Sequence, residues 1–159
     1  MAKLHLMCGF MGFGKSTIAK QLQKKFNAVC LSPDEFMLDL YGRKLSESNF
    51  RIAKKRVDVV IWKIAEQVLK SGVDVILDYG YWTKVSRREA YERGIKIADE
   101  VIMEQVICSM ETAKKRLLKR GKDDENELDI NSSCFEMFVG YYEPIETEEG
   151  YTVVKHNNE

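Results

Sequence analysis

Residues 9–17 read Gly-Phe-Met-Gly-Phe-Gly-Lys-Ser-Thr, and few other stretches restrict a chain so tightly. Gly9, four residues, then Gly14, Lys15 and Ser16 have the spacing of a phosphate-binding P-loop. The flanks suit it. Leu4, Leu6 and Cys8 form an apolar run ending at Gly9, and Ile18, Ala19, Leu22 and Phe26 follow at helical spacing. A strand must therefore feed a glycine turn, and the turn a helix. Glycines let successive backbone N–H groups curl inward toward phosphate oxygens. The helix beginning near Lys15 adds the positive end of its dipole. Lys15 supplies a charge for the β- and γ-phosphates, Ser16 a hydroxyl for Mg2+, and Thr17 a contact to the α-phosphate. Gly9, Gly12, Phe13, Gly14, Lys15, Ser16 and Thr17 are thus the expected nucleotide-binding residues, with ATP the expected nucleotide and GTP not excluded.

The rest of the chain alternates between two periods. Ala28–Leu31 reads as a second strand. Ser32-Pro33-Asp34-Glu35 reads as a helix start with cap, first-turn proline and acids, and that helix reaches Tyr41. Ser46 to Lys70 is a long helical pattern. Val73 to Asp78 is an apolar strand ending on an acid. Thr83 to Arg93 is a helix stopped by Gly94, Val101–Cys108 a strand, and Glu111–Arg120 a basic helix. Lys122 to Asn131 is a polar, acidic loop. A short helix follows from Ser132 or Ser133 to Tyr142, then a last strand, Tyr151–Val154, with 157–159 expected to fray. Strands alternating with helices predict an α/β fold: a three-layer α/β/α sandwich around a mostly parallel five-stranded sheet, as in nucleoside- and nucleotide-kinase-like P-loop NTPases. All 159 residues are expected to form one domain, with a lid near 116–131.

Charge and composition exclude several classes. Lysine plus arginine and aspartate plus glutamate are 25 each, so no global basic field favours nucleic acid. No apolar run is long enough to span a membrane, and a cytoplasmic protein is expected, as a monomer or homodimer. Cys8, Cys30, Cys108 and Cys134 form no CxxC pair and are expected to be reduced, buried and structural. His5 and His156 have no ligand partners at useful spacing, so zinc is not expected.

Ligands of such sheets collect at the carboxyl ends of the strands. Asp34 and Asp78 both stand there. Phosphoryl transfer needs an acceptor for the proton of the attacking hydroxyl and a ligand for Mg2+. Asp34 suits the first task, with Glu35 as its competitor, and Asp78 suits Mg2+ or the acceptor. Tyr79-Gly80-Tyr81-Trp82 reads either as an aromatic wall for a ring-bearing acceptor, with Tyr81 and Trp82 in contact, or as the edge of the core. Arg116 and Arg120 share a helix face beside the polar loop, where a closing lid would bring them over the transferring phosphate. Arg87 is a weaker candidate for an anionic acceptor.

With these residues in view, the chain resembles the small P-loop kinases grouped as predicted AAA-domain kinases. It is similar to the kinase domain of polynucleotide 5′-hydroxyl kinase and, more distantly, to zeta toxins and chloramphenicol phosphotransferase. The resemblance runs through the P-loop, Leu31-Ser32-Pro33-Asp34-Glu35, Val75-Ile76-Leu77-Asp78, Cys108–Ala113 with Arg116 and Arg120, and Glu143–Glu149. It implies ATP-dependent phosphoryl transfer, an acceptor role for Asp34, and a closing segment near the base. The aromatic run after Asp78 departs from the family pattern. So does the acidic lid, with Asp123, Asp124, Glu125, Glu127 and Asp129, which does not favour a long polynucleotide. The expected acceptor is a hydroxyl on a small molecule, a metabolite, nucleoside or antibiotic. A nucleic-acid 5′ end and a regulatory nucleotide-binding module with little transfer are the alternatives.

Overall fold

The computed structural model describes residues 1–123 and 132–159. The strands are β1 (Lys3–Cys8), β2 (Val29–Leu31), β3 (Val75–Gly80), β4 (Glu100–Ile107) and β5 (Thr152–Asn157). They form one sheet in the order β2-β3-β1-β4-β5, and every pairing is parallel. Parallel neighbours need crossovers, which the helices supply. These are α1 (Lys15–Phe26), α2 (Pro33–Tyr41), α3 (Glu47–Lys70), α4 (Lys84–Gly94), α5 (Met110–Asp123) and α6 (Ser132–Val139).

Strand alternation divides the core in two. Leu4, Leu6, Val75, Leu77, Val101 and Met103 point to one face and pack with Met37 of α2, Ala53, Val57, Ile61 and Ala65 of α3, and Ala90 of α4. Met7, Ile76 and Val106 point to the other and pack with Ile18, Ala19 and Leu22 of α1, Ala113 of α5 and Phe135 of α6. The result is the expected three-layer sandwich.

Local chemistry sets the helix starts. The Ser32 hydroxyl accepts from the Glu35 N–H at 3.3 Å, with Pro33 at the first helical position. Ser46 caps α3 in the same way. Thr83 and Ser86 cap each other at α4. Gly14, in the left-handed region at φ 86°, precedes α1 with no side-chain cap, so the first-turn N–H groups have no side-chain acceptor there.

Several boundaries move: α5 runs on to Asp123, α6 ends at Val139 short of Tyr142, and β3 starts at Val75. β3 runs two residues past Asp78, because Cys8 of β1 pairs with Gly80. β5 continues to Asn157 through pairing with Ile107, and Asn158 donates its N–H to the Ile107 carbonyl at 2.8 Å. The end of the chain is therefore held rather than frayed. Of the expected lid, residues 124–131 lie outside the described residues, and with them the acids Asp124, Glu125, Glu127 and Asp129.

Candidate active site

The P-loop leaves β1 at Gly9, whose N–H donates to the Gly80 carbonyl at 2.9 Å. Gly12 lies against α5, where a Cβ would come within 2.8 Å of the Ala113 carbonyl, so this close approach needs glycine. Phe10 and Phe13 point into the core and join Trp82, Phe135 and Tyr142 in a cluster of ring contacts. Phe13 is thus a core anchor whose contribution to the phosphate side is its main chain.

Lys15 is half-buried, and its ammonium donates to the Phe10 carbonyl at 3.0 Å, which curls it back over the loop. Burial lowers its pKa, and the fields of Asp78 and Asp34 oppose that. Ser16 donates its hydroxyl to Asp78 Oδ2 at 2.7 Å. Burial pushes the Asp78 carboxyl up; the Ser16 hydrogen bond and Lys15 pull it down, and Asp34 and Glu35 raise it again. Lys15, Ser16 and Asp78 thus meet at the ends of β1 and β3, and Asp34 and Glu35 open α2 just beyond the neighbouring β2. Asp34 is exposed on the first turn of α2. Among the described residues, no group of three or more His, Cys, Asp or Glu could hold a metal by itself. Ser16 and Asp78 instead offer two hard oxygen donors beside a phosphate cradle, which fits Mg2+, a cation that keeps several waters and uses few protein ligands.

The aromatic segment splits by alternation. Asp78, Gly80 and Trp82 lie on the P-loop face: a Cβ on Gly80 would sit 3.4 Å from Lys15 Cε, and Trp82 packs on Phe10 with centroids 4.9 Å apart. Tyr79 and Tyr81 join the other core, stacked at 5.3 Å and 9°. Tyr79 donates to Asp58 Oδ1 at 2.7 Å, and Arg93 donates to Asp58 Oδ2 at 3.1 Å. The buried Tyr81 hydroxyl has no hydrogen-bond partner among the described residues, and burial raises its pKa well above the usual value. Tyr81 therefore packs against the core on the face away from the P-loop, where it also borders the cleft between α3 and α4. Trp82 is half-buried against Phe10 and Phe138, at the border of the crevice. Two adjoining clefts of about 440 Å3 each meet at Asp58 and Tyr79. One runs between α3 and α4, and the other, lined by Pro33, Lys54, Lys55 and Val59, opens beside the start of α2.

The arginines sort differently from the expectation. Arg87, 1% exposed, makes a two-pronged pair with Glu149 at 2.8 Å for each bond and donates to the carbonyls of Tyr81 and Glu143. It is a buried bracket whose Nε, Nη1 and Nη2 groups are all engaged within the chain. Its partners are the closing segment that the resemblance placed near the base; here that segment is bound to α4, with the Lys84 N–H donating to Glu143 at 2.8 Å. Arg116 is likewise engaged, donating to the Gly12 carbonyl at 3.3 Å and the Asn158 carbonyl at 2.7 Å. It braces the loop rather than hanging over the phosphate. Arg120, one turn on, is exposed, and its charge is felt at Lys15, whose pKa it lowers.

Two features escape a reading of the sequence. Asn158 and Glu159 bind the P-loop and the start of α5. Glu104, 2% exposed, accepts from His5 Nδ1 and His156 Nε2 at 2.6 Å each, joining three neighbouring strands. Burial raises the Glu104 carboxyl and the two histidine hydrogen bonds outweigh it, leaving it below the usual range. Cys8, Cys30 and Cys108 are free thiols, Cys8 and Cys108 buried and Cys30 half-buried, and Cys134 is half-buried as well. Burial pushes Cys8 up to about 12, which makes it inert.

The five-stranded sheet, the P-loop and the acids at the strand ends define a kinase-like P-loop NTPase. A family model described as an AAA domain matches residues 4–145, and the chain belongs to that family. It is 29% identical over 139 residues to the adenylate kinase of Helicobacter pylori (strain ATCC 700392 / 26695), covering 80% of this chain and 73% of that one. A chain of the Pnkp1/Rnl/Hen1 RNA repair complex has the same fold at TM-score 0.74 and 23% identity, over 88% of this chain and 43% of its own. Kti12 of Chaetomium thermophilum, in complex with ADP-AlF3, matches at TM-score 0.68 and 20% identity, over 96% and 88% of the two chains. Among the described residues, no helix is long and apolar enough to cross a membrane.

Proposed function

We propose that the chain is an ATP-dependent phosphotransferase that moves the γ-phosphate to a hydroxyl of a small molecule. The observation that carries this reading is the 2.7 Å bond between Ser16 and Asp78 beside an uncapped, left-handed entry to α1. It joins a triphosphate cradle to a dication position. GTP is the other nucleotide the cradle would accept.

In this reading the backbone of Gly12–Thr17 and the Lys15 ammonium hold the phosphates. Ser16 and Asp78 would hold Mg2+, which supplies charge neutralisation at the β- and γ-oxygens. The acceptor enters through the cleft beside Pro33. The Asp34 carboxylate takes the proton of its hydroxyl, the acceptor oxygen bonds to the γ-phosphorus, and the bond to the β–γ bridging oxygen breaks to release ADP. Arg120 screens the charge on the transferring group. Water is kept out by the Phe10–Trp82 border.

Three cations near the aromatic segment are already paired: Arg87 with Glu149, Arg93 with Asp58, and Lys84 with Glu146. This supports an acceptor without a phosphate of its own. Lys54 and Lys55, which line the entry cleft, support a second reading in which a nucleoside monophosphate is the acceptor, as the name of the Helicobacter pylori relative says of that protein. The test is a panel of nucleosides, nucleoside monophosphates, sugars, aminoglycosides and short 5′-hydroxyl oligonucleotides, incubated with Mg·ATP and read by mass gain of one phosphate. A neutral or cationic alcohol should be labelled by the parent protein and not by Lys15→Ala. Labelling of monophosphates alone moves the assignment to the second reading. Tight ATP binding with no labelled acceptor favours a regulatory module.

A further inference from the structure

The residues after β5 touch the phosphate cradle directly. Asn158 donates through Nδ2 to the Phe13 carbonyl at 2.9 Å. The same nitrogen lies 2.1 Å from where a Cβ on Gly14 would stand, so it is seated against the turn that opens α1. The Asn158 main chain is fixed from both sides: its N–H donates to Ile107 and its carbonyl accepts from Arg116. Arg116 reaches back to the Gly12 carbonyl. Glu159 then accepts from the Ser109 N–H at 2.9 Å, the Ser109 hydroxyl at 2.6 Å and the Thr112 hydroxyl at 2.7 Å, at the first turn of α5. These bonds hold its carboxyl down at about 2, so it is ionised at any working pH.

P-loop carbonyls that are not paired within the loop need donors from elsewhere in the chain. Gly12 and Phe13 find theirs on Arg116 and Asn158. The loop's shape is thereby tied to β5 and to the base of α5, the helix that carries Arg120.

We propose that Asn158 is a positioning residue for the nucleotide phosphates. Its amide holds Phe13–Gly14 in the left-handed turn that aims the α1 N–H groups into the crevice, and Glu159 fixes α5 beside it. The proposal rests on the phosphate-site reading above, and it adds a residue that touches neither substrate nor metal in that reading.

The test pairs two measurements on Asn158→Leu, which keeps the branching and atom count without donor or charge, and on Asn158→Ala. Amide hydrogen exchange of the nucleotide-free protein should rise at Gly12–Lys15 by about three- to tenfold, the worth of one net hydrogen bond. Exchange in β2 and α2 should not change, and the melting temperature should stay near that of the parent. Calorimetric titration with Mg·ATP should show affinity falling by a similar factor in both variants. Parent-like exchange at Gly12–Lys15 in both overturns the proposal, as does faster exchange spread over the whole sheet. If the parent binds neither ATP nor GTP, the nucleotide reading fails, and the exchange comparison still decides the role of Asn158.

Discussion

At the phosphate end of the crevice most ties run to main chain, the Ser16–Asp78 bond being the side-chain exception; at the proposed acceptor end they run between side chains. Gly9 bonds to Gly80, Lys15 to the Phe10 carbonyl, Arg116 to that of Gly12, and Asn158 to that of Phe13. Across the strand, Tyr79 bonds to Asp58, Arg93 to Asp58, and Tyr79 stacks on Tyr81. Main-chain ties need only a glycine where space is short and one donor at the right place. Side-chain ties change with each substitution. One end of such a molecule can therefore keep a triphosphate while the other is refitted for different acceptors, and a single fold can serve several substrates.

Four substitutions would break or sharpen this contrast. Asp34→Asn should have the largest effect, lowering phosphoryl transfer by about 10²- to 10⁴-fold, as expected for a lost general base, while Mg·ATP affinity stays within a few fold of the parent. Transfer at the parent rate would move the role to Glu35 or abolish it.

Arg87→Met should act on the fold. It leaves the half-buried Glu149 carboxylate without its guanidinium partner, which costs about 1–3 kcal/mol in chemical denaturation. Its pH signature is specific. The Arg87 hydrogen bond holds the Glu149 carboxyl below its ordinary value of 4.5, so the stability it gives is complete above that value and is lost as pH falls through the lower, folded one. The variant should lack that acid-side decline. A variant of parent stability whose only defect is weaker acceptor binding would return Arg87 to the site.

Arg120→Ala should lower turnover by about tenfold or more and ATP affinity by much less, because its charge matters most as the phosphate transfers. Equal losses in both would make it a binding residue. Tyr81→Phe should have the smallest effect. Removing a buried hydroxyl that has no partner among the described residues should leave stability unchanged or raise it by up to about 1 kcal/mol in a denaturant melt. A loss of acceptor affinity with unchanged stability would place Tyr81 at the substrate after all.

The contrast also explains what could be read from the sequence. The P-loop, the Ser32-Pro33 cap and the strand–helix alternation depend on neighbours within a few residues, and they were legible. The bracket around Arg87 was not, because Glu149 lies 62 positions away and Arg87 sits in an ordinary run of charges. The Glu104 link between His5 and His156 exists only once β1, β4 and β5 are in register. Asn158 and Glu159 follow a polar, short strand and look like a loose end until β5 pairs with Ile107. For Tyr79 and Tyr81 the signal was present. Continuing the two-residue alternation of β3 past Asp78 puts both tyrosines on the face away from Ser16, and only Trp82 on the P-loop face.

The central claim is that Gly9–Thr17, with Asp78, grips a triphosphate and its dication. Isothermal titration with Mg·ATP and Mg·GTP tests it most directly, with Lys15→Ala alongside. The account predicts saturable one-site heat for at least one nucleotide, lost or weakened about a hundredfold in the variant, as expected for removal of a charged phosphate contact. No heat with either nucleotide, or identical isotherms for parent and Lys15→Ala, would contradict it.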